Sequence, residues 1–160
     1  MITGERNMAN TYTQIYMQVV FAVKGRQNLI HAERKETLQK YMTGIITRQG
    51  QKLLAIHCMP DHTHILIGLK PNMALSDLVG DIKTGSTNHM NENRWFAGRF
   101  SWQEGFGAFS YSHSQITDVI GYIQNQDAHH KRRGFHEEYL ELLEKFQVVY
   151  EERHLFEPAE

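Results

Sequence analysis

Three features of this 160-residue sequence predict an α+β fold. Four short segments alternate apolar and polar residues, and two longer segments between them repeat apolar residues at helical spacing. A Pro-Asp turn joins the middle two alternating segments as a hairpin. The order is therefore β-α-β-β-α-β, the ferredoxin-like or RRM-like arrangement. It implies an antiparallel sheet with helices packed on one face, and the last part of the chain adds further C-terminal helices.

The first strand is predicted over 12–24. Thr13, Ile15, Met17, Val19, Phe21 and Val23 share one side, and Tyr12, Gln14, Tyr16 and Gln18 share the other. The first helix spans 31–49, with Leu38, Tyr41, Met42, Ile45 and Ile46 on one stripe and Gly50 placed to end it. "KLLAIHCM" reads as the second strand and "HTHILIGLK" as the third. Leu75, Leu78, Val79, Ile82 and Met90 make the inner stripe of the second helix, for which Asn72 and Ser76 are alternative caps. After the loop "RFSWQEG" the stretch "FGAFSYS" forms a fourth strand. A helix is predicted over 114–130 with Ile116, Val119, Ile120 and Ile123 inward, and "HEEYLELLEKF" forms the last helix. The sheet face opposite the helices is expected to stay open, exposing Tyr12, Tyr16, Gln18, His62 and His64.

Length and patterning give one domain over 10–156, with a leader at 1–9 and a tail at 157–160. An apolar fraction of 41% excludes a disordered chain, and no apolar run is long enough to cross a membrane. The single cysteine, Cys58, rules out an intrachain disulfide framework and fits a cytoplasmic protein. A net charge of −1 means that any nucleic-acid contact must come from local clusters of cations.

The chemistry-bearing motif is "MPDHTHILIGLK". His62 and His64 project from one side of the third strand, while Thr63, Ile65, Ile67 and Leu69 project from the other. Two imidazoles can hold a divalent ion, but a working site needs a third ligand and an open position. A pair of hydrogen-bonded histidines on a half-exposed sheet is the simpler reading of the motif alone. The helix "TDVIGYIQNQDAHHKRRGF" sets Tyr122 and Gln126 four residues apart on one surface, flanked by Asp127 and His129.

Together "MPDHTHILIGL", "WQEGFGAFSYS" and "YIQNQDAHHKRRGFHEEYLELL" resemble the HUH-type single-tyrosine transposases of small bacterial insertion sequences, the IS-two-hundred-like group. The resemblance runs from about Tyr12 to Phe156. It implies that His62 and His64 bind a divalent metal, that Gln126 completes the ligand set, and that Tyr122 attacks DNA. The chain departs from the family at Thr63, where a large apolar residue is usual. The resemblance further implies Mg²⁺ or Mn²⁺ as cofactor, and single-stranded DNA with imperfect hairpins near the element ends as substrate. It also implies a homodimer with joined sheets, in which the tyrosine helix can act in trans.

Candidate DNA contacts are Lys83, Ser86, Arg94, Arg99, Lys131, Arg132 and Arg133, the cations among them suited to phosphate. Trp95 and Trp102 read as packing residues. Three other readings stand beside a mobile-element transposase. One is a host-domesticated relative acting on repetitive palindromes, another a non-catalytic RRM-like binding module, and the last a hydrolase using metal-activated water.

Overall fold

β1 (Tyr16–Ala22) and β3 (His62–Gly68) form the centre of a four-stranded antiparallel sheet, with β2 (Lys52–Cys58) and β4 (Gly107–Tyr111) at its edges. The strand order is β2-β3-β1-β4. It follows from a chain that folds as β-α-β-β-α-β with its hairpin in the middle. This computed structural model describes residues 10–130 and 134–155, without the side chains of residues 129 and 130. The leader at 1–9, the cations at 131–133 and the tail at 157–160 lie outside the described residues.

The β2–β3 hairpin turns at Pro60-Asp61, where the Met59 amide donates to the His62 carbonyl at 2.7 Å. A register shift between Leu53 and Ala55 sets His57 directly opposite His64 and Cys58 opposite Thr63. Thr63 is fully buried, and its hydroxyl faces the Cys58 thiol, which burial pushes up to about 12.

Helix α1 (Ala32–Arg48) buries Leu38, Met42, Ile45 and Ile46, and α2 (Leu75–Glu92) buries Leu78, Val79, Ile82, Ser86 and Met90. Gly50 closes α1 in the left-handed region at φ 77°, as the sequence predicts. Ala74 precedes α2 with no side-chain cap, so neither Asn72 nor Ser76 fills that role. The two helices approach closely at Gly85, where an added Cβ would lie 2.7 Å from Ile45 Cδ1. Together they cover the sheet face that carries Phe21, Ile65 and Ile67, all fully buried. Trp102 completes this layer edge-on to Phe21, with ring centroids 4.8 Å apart. Trp95 also packs, with the Arg34 guanidinium 4.8 Å from its ring.

The opposite face is not open. Tyr12 lies ahead of β1 and is 92% exposed, whereas Gln18, His62 and His64 are fully buried. The cause is the C-terminal third of the chain. The predicted helix over 114–130 divides into a 3-10 turn at His113–Gln115, α3 (Ile116–Gln124) and α4 (Gln126–His130), with the break at Asn125 (φ −101°, ψ 24°). α3 lays Ile116, Val119 and Ile123 against Ala55 and Leu66. α5 (Phe135–Lys145) buries Phe135, Glu138, Tyr139, Leu142 and Leu143. Gly107 on β4 lets α5 settle, since a Cβ there would come within 2.6 Å of Tyr139 Cε1.

Candidate active site

The alternation of β3 delivers the His62 and His64 rings side by side to the α3/α5 face, 5.1 Å between centroids and near-perpendicular. Each ring is held by a different kind of partner. His62 donates through Nδ1 to Asp61 Oδ1 at 2.7 Å. Asp61 is in turn gripped by Arg26, which donates from Nε at 2.9 Å and from Nη2 at 2.8 Å. Burial alone would raise the Asp61 carboxyl; the His62 hydrogen bond and charge, with Arg26, outweigh it and hold it at about 2. Arg26 reaches this position from a left-handed residue, φ 54°, directly after Gly25. Such a conformation costs a non-glycine residue about 1–3 kcal/mol, which a buried charge-assisted pair with both nitrogens on Asp61 Oδ2 can offset. Phe135 stacks on the His62 ring at 4.0 Å and lies 4.7 Å from the Arg26 guanidinium.

His64 sits in a chain of neutral and acidic groups. The Tyr111 hydroxyl donates to Gln18 Oε1 at 2.7 Å, and Gln18 Nε2 donates to His64 Nδ1 at 2.8 Å. On its other side His64 Nε2 lies 2.9 Å from Glu138 Oε1. The remaining oxygen of that carboxylate, Oε2, accepts the Tyr122 hydroxyl at 2.5 Å. Glu138 therefore ties β3 to the tyrosine of α3 from a third element, α5. It also stands 4.0 Å from His62 Nε2, so both imidazoles and one carboxylate converge.

A buried carboxylate is costly unless it is fully bonded, so this degree of satisfaction is what keeps Glu138 inside. Ligand atoms of His62, His64 and Glu138 all lie within 4.8 Å of one another. Donors about 2.0–2.2 Å from one ion lie about 3.3–3.6 Å apart at tetrahedral angles, so the three groups form a divalent-ion site after a closure of roughly an ångström. Two imidazoles and one carboxylate are a donor set that transition ions and Mn²⁺ accept.

Beside this cluster a cavity of about 450 Å³ opens between α3 and α5, lined by Tyr111, Asp118, Tyr122, Glu138, Glu141 and Lys145. Tyr122 is half-buried at its wall, so its ring can meet a ligand from solvent.

The sequence-predicted residues fare unequally. His62, His64 and Tyr122 come together. Gln126 is fully buried past the break at Asn125, and its amide donates to the Tyr122 carbonyl at 3.3 Å. Glu138 was not anticipated. It could have been found, because a glutamate at the third position after Phe135 and the fourth before Leu142 sits on the inward stripe of α5.

Of the candidate DNA contacts, Lys83 bonds the carbonyls of Gln103 and Gly105 and is drawn down from its usual range by burial. Ser86 is buried, bonded to the Ile82 carbonyl at 2.7 Å and receiving the Trp102 indole N–H at 3.0 Å. Both serve packing. Arg94 and Arg99 are exposed. His57, opposite His64, turns to other partners: Lys35 Nζ donates to its Nε2 at 2.8 Å and Asp127 of α4 stands at 3.5 Å.

A family model described as "Transposase IS200 like" matches residues 11–126. The chain is 24% identical over 120 residues to the ISDra2 transposase TnpA of Deinococcus radiodurans, covering 71% of this chain and 84% of that one. It is 25% identical over 83 residues to the transposase for insertion sequence element IS200 of Salmonella typhimurium, of whose length it spans about half, 55%. In fold it resembles a candidate transposase from Deinococcus radiodurans, with a TM-score of 0.56 at 24% identity, over 72% of this chain and 92% of that one. It also resembles a REP-associated tyrosine transposase bound to a REP hairpin, with a TM-score of 0.59 at 15% identity, over 74% and 70% of the two chains.

Proposed function

The chain belongs to the IS200-like transposases, and from that premise we propose that it cuts and rejoins single-stranded DNA at insertion-sequence ends by transesterification through Tyr122. The Tyr122 oxygen attacks the scissile phosphorus, forming a 5′-phosphotyrosine and releasing a 3′-hydroxyl. One phosphodiester replaces another of similar energy, so the step needs no ATP and reverses to reseal the strand. The observation that carries this reading is the single cluster of Tyr122, His64, His62 and Glu138.

In this reading His62, His64 and Glu138 hold a divalent ion, Mg²⁺ or Mn²⁺, with Mn²⁺ favoured by the imidazoles. The ion, when bound, supplies positive charge to a non-bridging phosphate oxygen as charge develops there. Gln126 stays a proposed ligand beside Glu138, since it is buried one turn beyond the nucleophile. Glu138 Oε2 already accepts the phenol proton's hydrogen bond, which places an acceptor for that proton at the attacking oxygen. The cavity beside Tyr122 gives the strand a path to the phenol.

The substrate is single-stranded DNA with hairpin ends, and Arg94, Arg99 and residues 131–133 contact its phosphates. A homodimer fits the family. Tyr122 meets the Glu138 and His64 of its own chain, the arrangement that assembly in cis requires. The hairpin carried by a structural neighbour favours, as a second reading, a host-domesticated relative acting on repetitive palindromes.

The test is incubation with labelled single-stranded DNA bearing a hairpin and flanking sequence, plus Mn²⁺. A covalent adduct that survives denaturation and is absent from Tyr122→Phe is expected. Cleavage without an adduct would instead point to a hydrolase, and binding without cleavage to an RRM-like module.

A further inference from the structure

With a net charge of −1, the chain can hold a DNA strand only where cations gather locally. The cavity beside Tyr122 is not such a place, because Asp118, Glu138 and Glu141 line it together with Lys145. A second cleft, of about 280 Å³, has the opposite charge. Its walls are Lys24, Gly25, Gln27, Leu29, Arg99 and Ser101, two cations and no carboxylate. Among the described residues neither Lys24 nor Arg99 has an ion-pair partner.

The turn after β1 sets this cleft beside the His62–His64–Glu138 cluster. Lys24 lies two residues beyond Ala22, the strand partner of His62. Lys24–Arg26 is a single 3-10 turn, closed by the Arg26 amide on the Val23 carbonyl at 2.8 Å. Gly25 (φ 71°) and Arg26 (φ 54°) are both left-handed, so the backbone reverses between the two cations. Arg26 turns inward onto Asp61, the partner of His62. Lys24 stays outside, its amide fixed on the Ser101 carbonyl at 3.1 Å. That bond brings the segment carrying Arg99 to the other wall of the cleft. Lys24 and Ser101 also border a cavity of about 710 Å³, whose wall adds Trp102, Glu104 and Arg153, so a strand held in the cleft can continue past it.

We propose that Lys24 and Arg99 clamp a backbone phosphate of the unpaired strand, a phosphate other than the one that Tyr122 attacks. This rests on the reading above, in which the substrate is single-stranded DNA with hairpin ends, and it gives the Arg99 contact a partner and a place. Two cations can bracket one phosphodiester: a guanidinium offers its oxygens a planar fork of donors, and an ammonium a point charge. Ser101 and Gln27 bring neutral donors to the same walls. The occupant is the unpaired strand rather than the hairpin stem, because the cleft adjoins the His62 end of the cluster and the strand that reaches Tyr122 is unpaired there. Phosphate contacts set register without reading sequence, so a phosphate held here positions the scissile one at the cluster.

The test measures binding of the full chain to a hairpin oligonucleotide with its single-stranded flank, in EDTA, from about 0.05 to about 1 M salt. Lys24→Gln and Arg99→Gln should each lower affinity about fivefold at about 0.1 M salt, and the double variant about 25-fold. The log–log salt slope should fall by about 0.7 per cation removed, and the difference should vanish near about 1 M. Thermal midpoints should not change, since both side chains are exposed. Lys40→Gln, an exposed α1 cation paired with Glu36 and outside the cleft, should stay within about twofold of wild type. Neutral methylphosphonate linkages placed singly along the flank then locate the phosphate. One or two positions away from the scissile linkage should weaken the wild-type protein at least about fivefold and the double variant by less than about twofold. An equal loss in Lys40→Gln, or linkages that weaken wild type and double variant alike, overturns the clamp and leaves the transposase reading standing. Sensitivity confined to the stem or to the scissile linkage overturns it as well. If the wild-type protein binds no single-stranded DNA at any salt, the reading of the substrate fails, and the clamp fails with it.

Discussion

Helices cover both faces of the sheet, but among the described residues only the face under α3 and α5 carries a connected polar network, beside its apolar patch of Ala55, Leu66, Ile116, Val119 and Ile123. Against α1 and α2 the strands present Phe21, Ile65 and Ile67 to Leu38, Met42, Leu78 and Ile82, and the layer is held by apolar area. Against α3 and α5 they present Gln18, His62 and His64 to Tyr122 and Glu138, each bonded in a definite direction. Apolar packing stabilises without choosing an orientation. A buried polar network adds little net stability, because desolvation offsets its bonds, but it fixes where each proton and lone pair lies. The first face keeps the sheet folded, and the second aims its imidazoles.

Substitutions on the two faces should therefore separate stability from binding. Phe21→Ala empties a fully buried site and should cost about 3–5 kcal/mol, lowering the thermal midpoint while leaving Mn²⁺ affinity within about twofold when measured below the transition. Glu138→Gln keeps the shape and removes the charge. Mn²⁺ affinity should fall at least about tenfold, with a stability change within about 2 kcal/mol, because lost ion–dipole bonds are offset by a relieved buried charge. Calorimetric titration and thermal melts of the two variants check both. Should Phe21→Ala weaken the ion as much as Glu138→Gln does, the division between the faces is wrong.

The smallest effect is expected at the rim of the second face. Burial, helped by Lys35, lowers the His57 pKa, while Asp127 opposes them. Its folded value thus lies below the unfolded value of 6.5, and the native state binds fewer protons just below that pH. Stability should accordingly decline as pH falls through 6.5, and His57→Gln should flatten that decline. Urea melts between pH 5 and 8 read the slope.

Much of the first face was legible in the sequence, because alternation and helical spacing report burial directly. The stripe Leu38, Met42, Ile45 and Ile46 and the closure at Gly50 are where periodicity puts them. The second face was legible only in part. His62 and His64 stand out on a strand and Asp61 adjoins His62, yet the partners of His64 come from remote segments: Gln18 from 46 residues earlier and Glu138 from 74 residues later. Local pattern holds no record of such pairings. The open face expected from the β-α-β-β-α-β order failed for a related reason, since that order says nothing of where C-terminal helices dock. The break at Asn125 is marked by no proline or glycine, and it moves Gln126 off the helix that carries Tyr122.

One cation is expected between the two histidines of β3 and the glutamate of α5. Crystals grown with Mn²⁺ and measured at the manganese absorption edge locate it directly. An anomalous peak about 2.0–2.4 Å from His62 Nε2, His64 Nε2 and a Glu138 oxygen is the expected result. Full Mn²⁺ occupancy elsewhere in the molecule, with the His62–His64–Glu138 cluster empty, would contradict it.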